Sequence, residues 1–288
     1  MAKIRRHALD QSPFYGLRSR KKLAEVLGFD RRKLEALARA PLQYKERDIE
    51  TKKGKIRHTE EPRGPLRQIH ERAKRLLSRI EPPDFLFCPV KGRSYVDNAI
   101  EHVNARDVRT VDVKNYFAST PRHRVYWFFH SIMNCESDVA AVLAHLLTAN
   151  GHVPTGSPVS PILSFFAFFD MWHSIALQAR NEGCKVTVYM DDLTVSGATV
   201  SEGLMWSIKK TIHKTGLRYH KERRFSGGRA EVTGVVIRNG SVVLPNRQRK
   251  RAFDLRTTLR TMNEGEEKDR LARTLAGLDA QKRQVEVT

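Results

Sequence analysis

The stretch VTVYMDDLTVSG, Val186 to Gly197, restricts the fold more than any other part of this chain. Two runs of β-branched and aromatic residues flank a short polar break, which is the pattern of a hairpin. The break carries Asp191 and Asp192 side by side, and no basic residue lies within the stretch to neutralise them. Either the pair is solvated on an exposed turn or it waits for a cation. Strands are expected at Val108–Val113, Val186–Tyr189 and Leu193–Ser196, with helices between them. That order predicts an α+β sandwich of ferredoxin-like type. In such a sheet Asp112, at the end of the first strand, would come beside the Asp191–Asp192 turn.

Composition says what such a cluster would meet. The 288 residues include 52 Lys and Arg against 32 Asp and Glu, a formal charge of +20. Basic groups that displace condensed counterions from phosphates favour a polyanion as partner. The charge is uneven. Residues 1–80 hold 23 basic and 10 acidic side chains, and residues 245–288 hold 11 and 7, so the middle is only +3. Three scattered cysteines with no CxxC pair argue against a zinc site or a disulfide framework and fit a reducing cytoplasm. The N-terminus lacks the apolar run of a signal peptide, and no membrane partner is expected. The most apolar segment, Pro161 to Leu177, contains Asp170 and His173 and reads as one buried helix.

The remaining pattern is mostly helical. SRKKLAEVLGFDRRKLEALARA predicts two short helices broken near Gly28–Phe29. A basic hairpin turning at Lys53–Gly54 follows. Next is an amphipathic helix with Leu66, Ile69, Ala73, Leu76, Leu77 and Ile80 along one stripe. SYVDNAIEHVNA reads as a helix, RHRVYWFFHSIM through VAAVLAHLLTAN as a helical region, and SEGLMWSIKKTIHKTG as another helix. Asn239–Gly240 between valine-rich runs signals a second hairpin. From Asn246 the tail is basic and helical, with Phe253, Leu255, Leu259, Met262, Leu271, Leu275 and Leu278 as its expected buried side.

Carboxylate oxygens are hard ligands that suit Mg²⁺. Two such ions about 4 Å apart can activate a hydroxyl and stabilise a leaving pyrophosphate. Three acids on one sheet edge within a basic protein therefore point to nucleotidyl transfer.

Several stretches together carry a resemblance. YMDD at Tyr189–Asp192 resembles the YxDD box of reverse transcriptases, VDVKNYF at Val111–Phe117 their first aspartate motif, and PTGSPVSPILS the loop before their buried helix. KKGKIR ahead of EEP resembles their fingers hairpin. NAIEH at Asn98–His102 and VTG at Val232–Gly234 resemble two boxes of the bacterial retron reverse transcriptases. The motifs keep the family's order from about residue 25 to 245.

The resemblance implies a right-hand polymerase with a ferredoxin-like palm. Residues 1–105 would hold the N-terminal helices and fingers, 106–122 the first part of the palm, and 123–160 connecting helices. Residues 161–245 would be the palm with both hairpins, and 246–288 a helical thumb. Asp112 and Asp191, helped by the Val113 carbonyl, would bind two Mg²⁺ ions, with Asp192 as a weaker ligand. Lys53 and Arg57 would clamp the incoming deoxynucleotide, and Phe117 would exclude a ribose 2′-hydroxyl. Thr155 stands where the family has glutamine, beside Gly156 in the nucleotide loop. Lys221 is placed to protonate pyrophosphate. Asn98, His102, Val232, Thr233 and Gly234 would contact RNA or primer, and Arg247, Arg249, Lys250 and Arg251 would follow a duplex backbone.

The residues by themselves leave alternatives open. Asn98 and His102, four apart, would equally serve as core hydrogen-bonding groups. Val232–Gly234 would equally serve strand packing, Arg57 be a solvated hairpin charge, and Arg247, Arg249, Lys250 and Arg251 a solvated face. His213 and His220 read as surface residues. The resemblance further implies a cognate structured non-coding RNA as template and primer, dNTP substrates, a branched RNA-linked DNA product, and an effector protein in antiphage defence. A group II intron-like reverse transcriptase and an idle RNA-binding scaffold are the competing readings.

Overall fold

The computed structural model describes residues 5–41, 43–50, 54, 56–238 and 240–286. The expected turn at Lys53 and the Asn239 position of the second hairpin lie outside them. The chain runs α1 (Arg20–Leu27), α2 (Arg31–Arg39), β1 (Tyr44–Glu50), β2 (Ile56–Pro62), α3 (Gly64–Leu77), β3 (Leu86–Cys88), α4 (Tyr95–Ile100) and β4 (Asp107–Val113). It continues through α5 (Arg122–Trp127), which runs into a π-turn at Phe128–Ile132, then α6 (Ser137–Leu146), α7 (Ser160–Ala167) and α8 (Phe169–Asn181). Then come β5 (Lys185–Tyr189), β6 (Asp192–Gly197), α9 (Glu202–Lys214), β7 (Tyr219–Ser226), β8 (Arg229–Val232), β9 (Val235–Arg238), β10 (Ser241–Val243), α10 (Asn246–Thr261) and α11 (Glu266–Glu286).

The architecture is α+β, as the hairpin and its flanking helices predict. A five-stranded sheet has the order β3-β5-β6-β4-β7, with β3 parallel to β5 and the other pairs antiparallel. Its last four strands, with helices between β4 and β5 and between β6 and β7, make the βαββαβ arrangement of a ferredoxin-like sandwich. Alternation in β4 and β6 explains the two faces. Val111, Leu193 and Val195 go to the helical side, where α9 buries Leu204, Met205, Ile208 and Ile212. Asp112, Asp192, Thr110 and Thr194 go to the other side, where they line an open cleft.

A smaller sheet, β10-β9-β8, has its own apolar cluster around Val232, Val235 and Ile237. Helix α4 packs on β9 and β10 as well as on β3 and β5, so it bridges the two sheets. Its N-terminus is fixed by a reciprocal cap: Asp97 N–H donates to Ser94 Oγ and Ser94 N–H to an Asp97 oxygen.

Four expectations change. Pro161–Leu177 is not one helix: α7 and α8 meet at Phe168 with a bend of 68°. Phe168 leaves helical geometry, with φ −119° and ψ 33°, because its ring is drawn into the aromatic core beside Tyr116. No single helix among the described residues is long and apolar enough to cross a membrane. The SYVDNAIEHVNA helix is shorter than expected and ends at Ile100, giving way to turns. Strand β7 was not expected: YHKERRFS lacks apolar alternation, because this edge strand is half exposed along its length. In the tail, Leu255, Leu259, Met262, Leu271, Leu275 and Leu278 are only partly covered and Phe253 is 66% exposed. Helices α10 and α11 pack mainly on each other, and α11 also meets β10 and, through Val285, the small apolar cluster.

Candidate active site

Strand register brings the acids together. Asp112 on β4 lies directly opposite Asp192 on β6, and Asp191 sits on the two-residue turn joining β6 to β5. Met190 opens that turn with φ 58°. The Val113 N–H donates to the Asp191 carbonyl at 2.9 Å, tying the turn to the end of β4. On the other side of β4, Asp112 opposes Lys221, and Val113 opposes Tyr219, which leaves His220 as a bulged extra residue. The bulge places His220 Nδ1 3.7 Å from an Asp112 oxygen. His220 is exposed, as expected of a surface residue, and lies beside the acids. That proximity was hidden in an unrecognised edge strand. His213 stacks on the Tyr219 ring at 5.4 Å.

The electrostatics answer the question of the adjacent aspartates. Burial, then repulsion from Asp191 and Asp112, pushes the Asp192 carboxyl up to about 6, against the opposing pull of Arg223. Asp191 is also raised, first by burial and then by the Asp112 charge, although its own backbone N–H and Arg57 oppose this. The carboxylates are thus poorly compensated by the protein itself. A hard divalent cation matches this donor set: several carboxylate oxygens, short of positive charge, on a cleft open to phosphate.

A cleft of about 270 Å³ runs from Asp112 and Asp192 past Thr110, Tyr189 and Thr194 to Lys221 and Arg223 on one wall and Glu231, Thr233 and Gly234 on the other. Val232 and Val235 pair across the β8–β9 hairpin, so Thr233 and Gly234 are its turn, with φ 47° and 81°. Positive φ at both turn residues explains the glycine. Close strand packing does not, since a Cβ at Gly234 would meet nothing within 4 Å. Val232 itself is buried in the small core and offers no surface to RNA.

Asn98 and His102 correct another expectation. Both are fully buried, so neither presents an atom to RNA. Asn98 donates to Thr233 Oγ1 at 3.4 Å, and Thr233 Oγ1 donates to the Tyr95 carbonyl at 2.8 Å. His102 lies between two hydroxyls, Ser196 at 2.6 Å and Thr187 at 2.8 Å. Burial, assisted by Lys185, pushes its imidazole down to about 3, so it is neutral.

The nucleotide loop is held against β2. A Cβ on Gly156 would lie 2.9 Å from the Glu60 carbonyl oxygen, so only glycine permits this approach. Thr155 donates its hydroxyl to the His58 carbonyl at 2.8 Å, which fixes the loop instead of reaching into the cleft. Ser157 next to it meets His70 Nδ1 at 2.6 Å, while His70 Nε2 meets the Leu146 carbonyl at 2.8 Å. His70 was missed because it sits in the apolar stripe of α3. Arg57 is exposed and lies where its charge acts on Asp191. Phe117 is half-buried beside Tyr116, whose hydroxyl donates to the Ser164 carbonyl and accepts from Trp172.

Arg247 is paired with Glu231 at the edge of the small sheet, while Arg249, Lys250 and Arg251 continue along the first turns of α10. A buried Arg109 joins Glu202 at 2.5 Å and Glu222 at 3.3 Å on the opposite face of the central sheet, a network no motif announced. Among the described residues, the set whose ligand atoms all lie within 4.8 Å of one another is Glu46, His58 and Glu60. Glu60 there already accepts from Asn150 and His152.

No protein-family model matches the chain. The retron Se72 reverse transcriptase of Salmonella heidelberg is 26% identical over 79% of this chain and 64% of its own length. The retron Mx65 reverse transcriptase of Myxococcus xanthus is 28% identical over 70% of this chain and 53% of its own. The retron Ec86 reverse transcriptase of Escherichia coli is 26% identical over 57% and 52%. The chain thus spans between about half and two thirds of the length of these relatives. The solved structure of a foamy viral protease–reverse transcriptase in complex with double-stranded DNA aligns over 96% of this chain and 42% of its own, with 14% identity and a TM-score of 0.46. By sequence, the chain is similar to several bacterial retron reverse transcriptases.

Proposed function

We propose that this chain is an RNA-directed DNA polymerase of retron type, adding deoxynucleotides to a 3′ end along an RNA template. The observation that supports it most directly is the register pairing of Asp112 with Asp192, with Asp191 on the adjoining turn. Asp112, Asp191, the Val113 carbonyl and, more weakly, Asp192 would hold two Mg²⁺ ions. When bound, these would acidify the primer hydroxyl and offset the charge of the triphosphate.

The chain's own residues do the rest. Arg57, with Lys53 beyond the described residues, meets the triphosphate from the fingers hairpin, where a guanidinium fork matches phosphate oxygens. Phe117 sits below the sugar and selects against a 2′-hydroxyl. Lys221, opposite Asp112 on β7, and the neighbouring Arg223 supply positive charge at the leaving pyrophosphate. The turn at Thr233–Gly234 forms the far wall, against which the primer end rests. In this reading residues 1–105 and 123–160 are fingers, 106–122 and 161–245 palm, and 246–288 thumb. The reading extends to a branched RNA-linked DNA product and an effector partner in phage defence, as the resemblance of the NAIEH and VTG stretches implies.

The test is expression with the flanking genomic RNA, followed by a search for RNase-resistant short DNA. The native chain yields such DNA, joined to RNA at a branch. Asp191→Ala reduces it at least about a hundredfold, roughly the loss when a charge-stabilising group is removed, while RNA still co-purifies. DNA persisting in the variant refutes the metal assignment, and linear unbranched product refutes the retron assignment.

A further inference from the structure

Helix α4 and the turn that follows it carry two buried polar side chains that the proposed chemistry does not use. Asn98 faces the Thr233 turn, which is one wall of the cleft. His102, four residues on, bonds two hydroxyls of the hairpin that carries Asp191 and Asp192. His102 lies in the turn just past Ile100, where its N–H donates back to the Ala99 carbonyl at 3.0 Å. The Thr233 wall and the acid-bearing hairpin are therefore connected through a single short, capped element and its following turn: Thr233, Asn98, His102, and then Ser196 and Thr187 on β6 and β5.

An apolar core would not need this. Burying an imidazole and an amide costs desolvation free energy unless each is hydrogen-bonded, and leucine would fill the same space without that cost. What the polar groups add is direction. A neutral imidazole has one donor and one acceptor, and here it lies between two hydroxyls on neighbouring strands. Thr187 lies two residues before Tyr189, and Ser196 four residues after Asp192. A shift of β5 against β6, or of the hairpin against α4, breaks one of these bonds.

We infer that α4 with its following turn is a positioning strut: His102 holds the Asp191–Asp192 hairpin and Asn98 holds the Thr233 turn, which together fix the distance between the acids and the Thr233 wall of the cleft. His102 is on this view a positioning residue rather than a catalytic one. The inference rests on the polymerase reading for its kinetic consequence, but not for its effect on the carboxylates.

The test uses the full chain, its fold checked by circular dichroism, with Mn²⁺ as probe and binding followed by electron paramagnetic resonance. The part of the binding abolished by Asp191→Asn defines the carboxylate site. His102→Leu is expected to weaken Mn²⁺ there about tenfold, and His102→Gln, which keeps a donor and an acceptor, to recover most of the loss. Ser196→Ala and Thr233→Val, each removing one hydroxyl with little change of volume, are expected to weaken it about threefold and to decide the matter if His102→Leu does not fold. In primer extension the same variants lower kcat and leave the KM for dNTP within about twofold. Native Mn²⁺ affinity in folded Ser196→Ala and Thr233→Val, or a change confined to KM, overturns the strut. A native chain that binds Mn²⁺ at the carboxylates but adds no nucleotide sinks the polymerase reading, while the Mn²⁺ comparison still reports on α4.

Discussion

The central sheet and the C-terminal helix pair hold their functional groups by different physics. In the sheet, Val111, Leu193 and Val195 are at most 1% exposed, and the acids project from the opposite side of the same strands. The strands cannot shift without moving a packed core, so the carboxylates are held close despite their repulsion. In α10 and α11 only Ala252 and Val285 are buried, Phe253 stands 66% exposed, and the Arg256–Asp279 ion pair links the two helices. In the proposed reading the cations there follow a flexible polyanion, for which charge with little core would suffice. Precise chemistry sits where burial fixes geometry, and adaptable binding where it does not.

Three experiments break or sharpen that contrast. The largest effect is expected at Leu193, next to Asp192 and fully buried. Leu193→Ala should lower unfolding free energy by about 3 kcal/mol in urea titration, as large-to-small changes in a packed core do. The same change at the half-buried Leu275 should cost about 1 kcal/mol or less. Equal losses at the two sites would remove the distinction.

Next comes acid. Burial pushes His70 down to about 4 and His102 to about 3, from an ordinary value of 6.5. Between these limits the unfolded chain binds more protons than the folded one, so stability rises with pH in that window. The contribution is complete above about pH 6.5 and is lost as the pH falls toward 4. Thermal melts from pH 7 to 4 should show a falling midpoint, and His70→Gln should flatten part of the decline. Asp192, raised to about 6, opposes this decline over part of the same range, so the native chain is compared with His70→Gln; identical slopes in the two would mean that His70 does not stay neutral in the fold.

The smallest effect on stability is expected in α10. Replacing Arg249, Lys250 and Arg251 with alanine should change unfolding free energy by no more than about 0.5 kcal/mol. It should nevertheless lower the slope of log affinity for a primer–template against log salt by about 2 to 3, one unit for each lost phosphate contact. Arg247 is left out because Glu231 already pairs with it. An unchanged slope would mean that this face is only solvated.

Much of this could be read directly from local pattern. The Val186–Gly197 hairpin, the α3 stripe and the break at Gly28 follow from periodicity and from residues with special backbone freedom. Gly28, for instance, caps α1 with φ 78°. The harder cases fail for identifiable reasons. The charged strand β7 is ordered by pairing with β4, not by its own propensity, so nothing in YHKERRFS marks it. The bend at Phe168 serves ring packing between distant residues. Asn98 and His102 look like candidate contact residues because polar groups are usually exposed, and only their burial shows that they face inward.

By itself, the sequence determined that a strand and a hairpin would carry three acids, that the chain would be strongly basic, and which helices would bury one face. These properties depend on residues near each other along the chain. The tertiary structure alone decided that Asp112 would stand opposite Asp192, that a bulge would bring His220 to Asp112, and that α4 and its following turn would join the Thr233 turn to the acid-bearing hairpin. Register and burial arise from contacts between segments tens to more than a hundred residues apart, and no local pattern encodes which of those contacts forms.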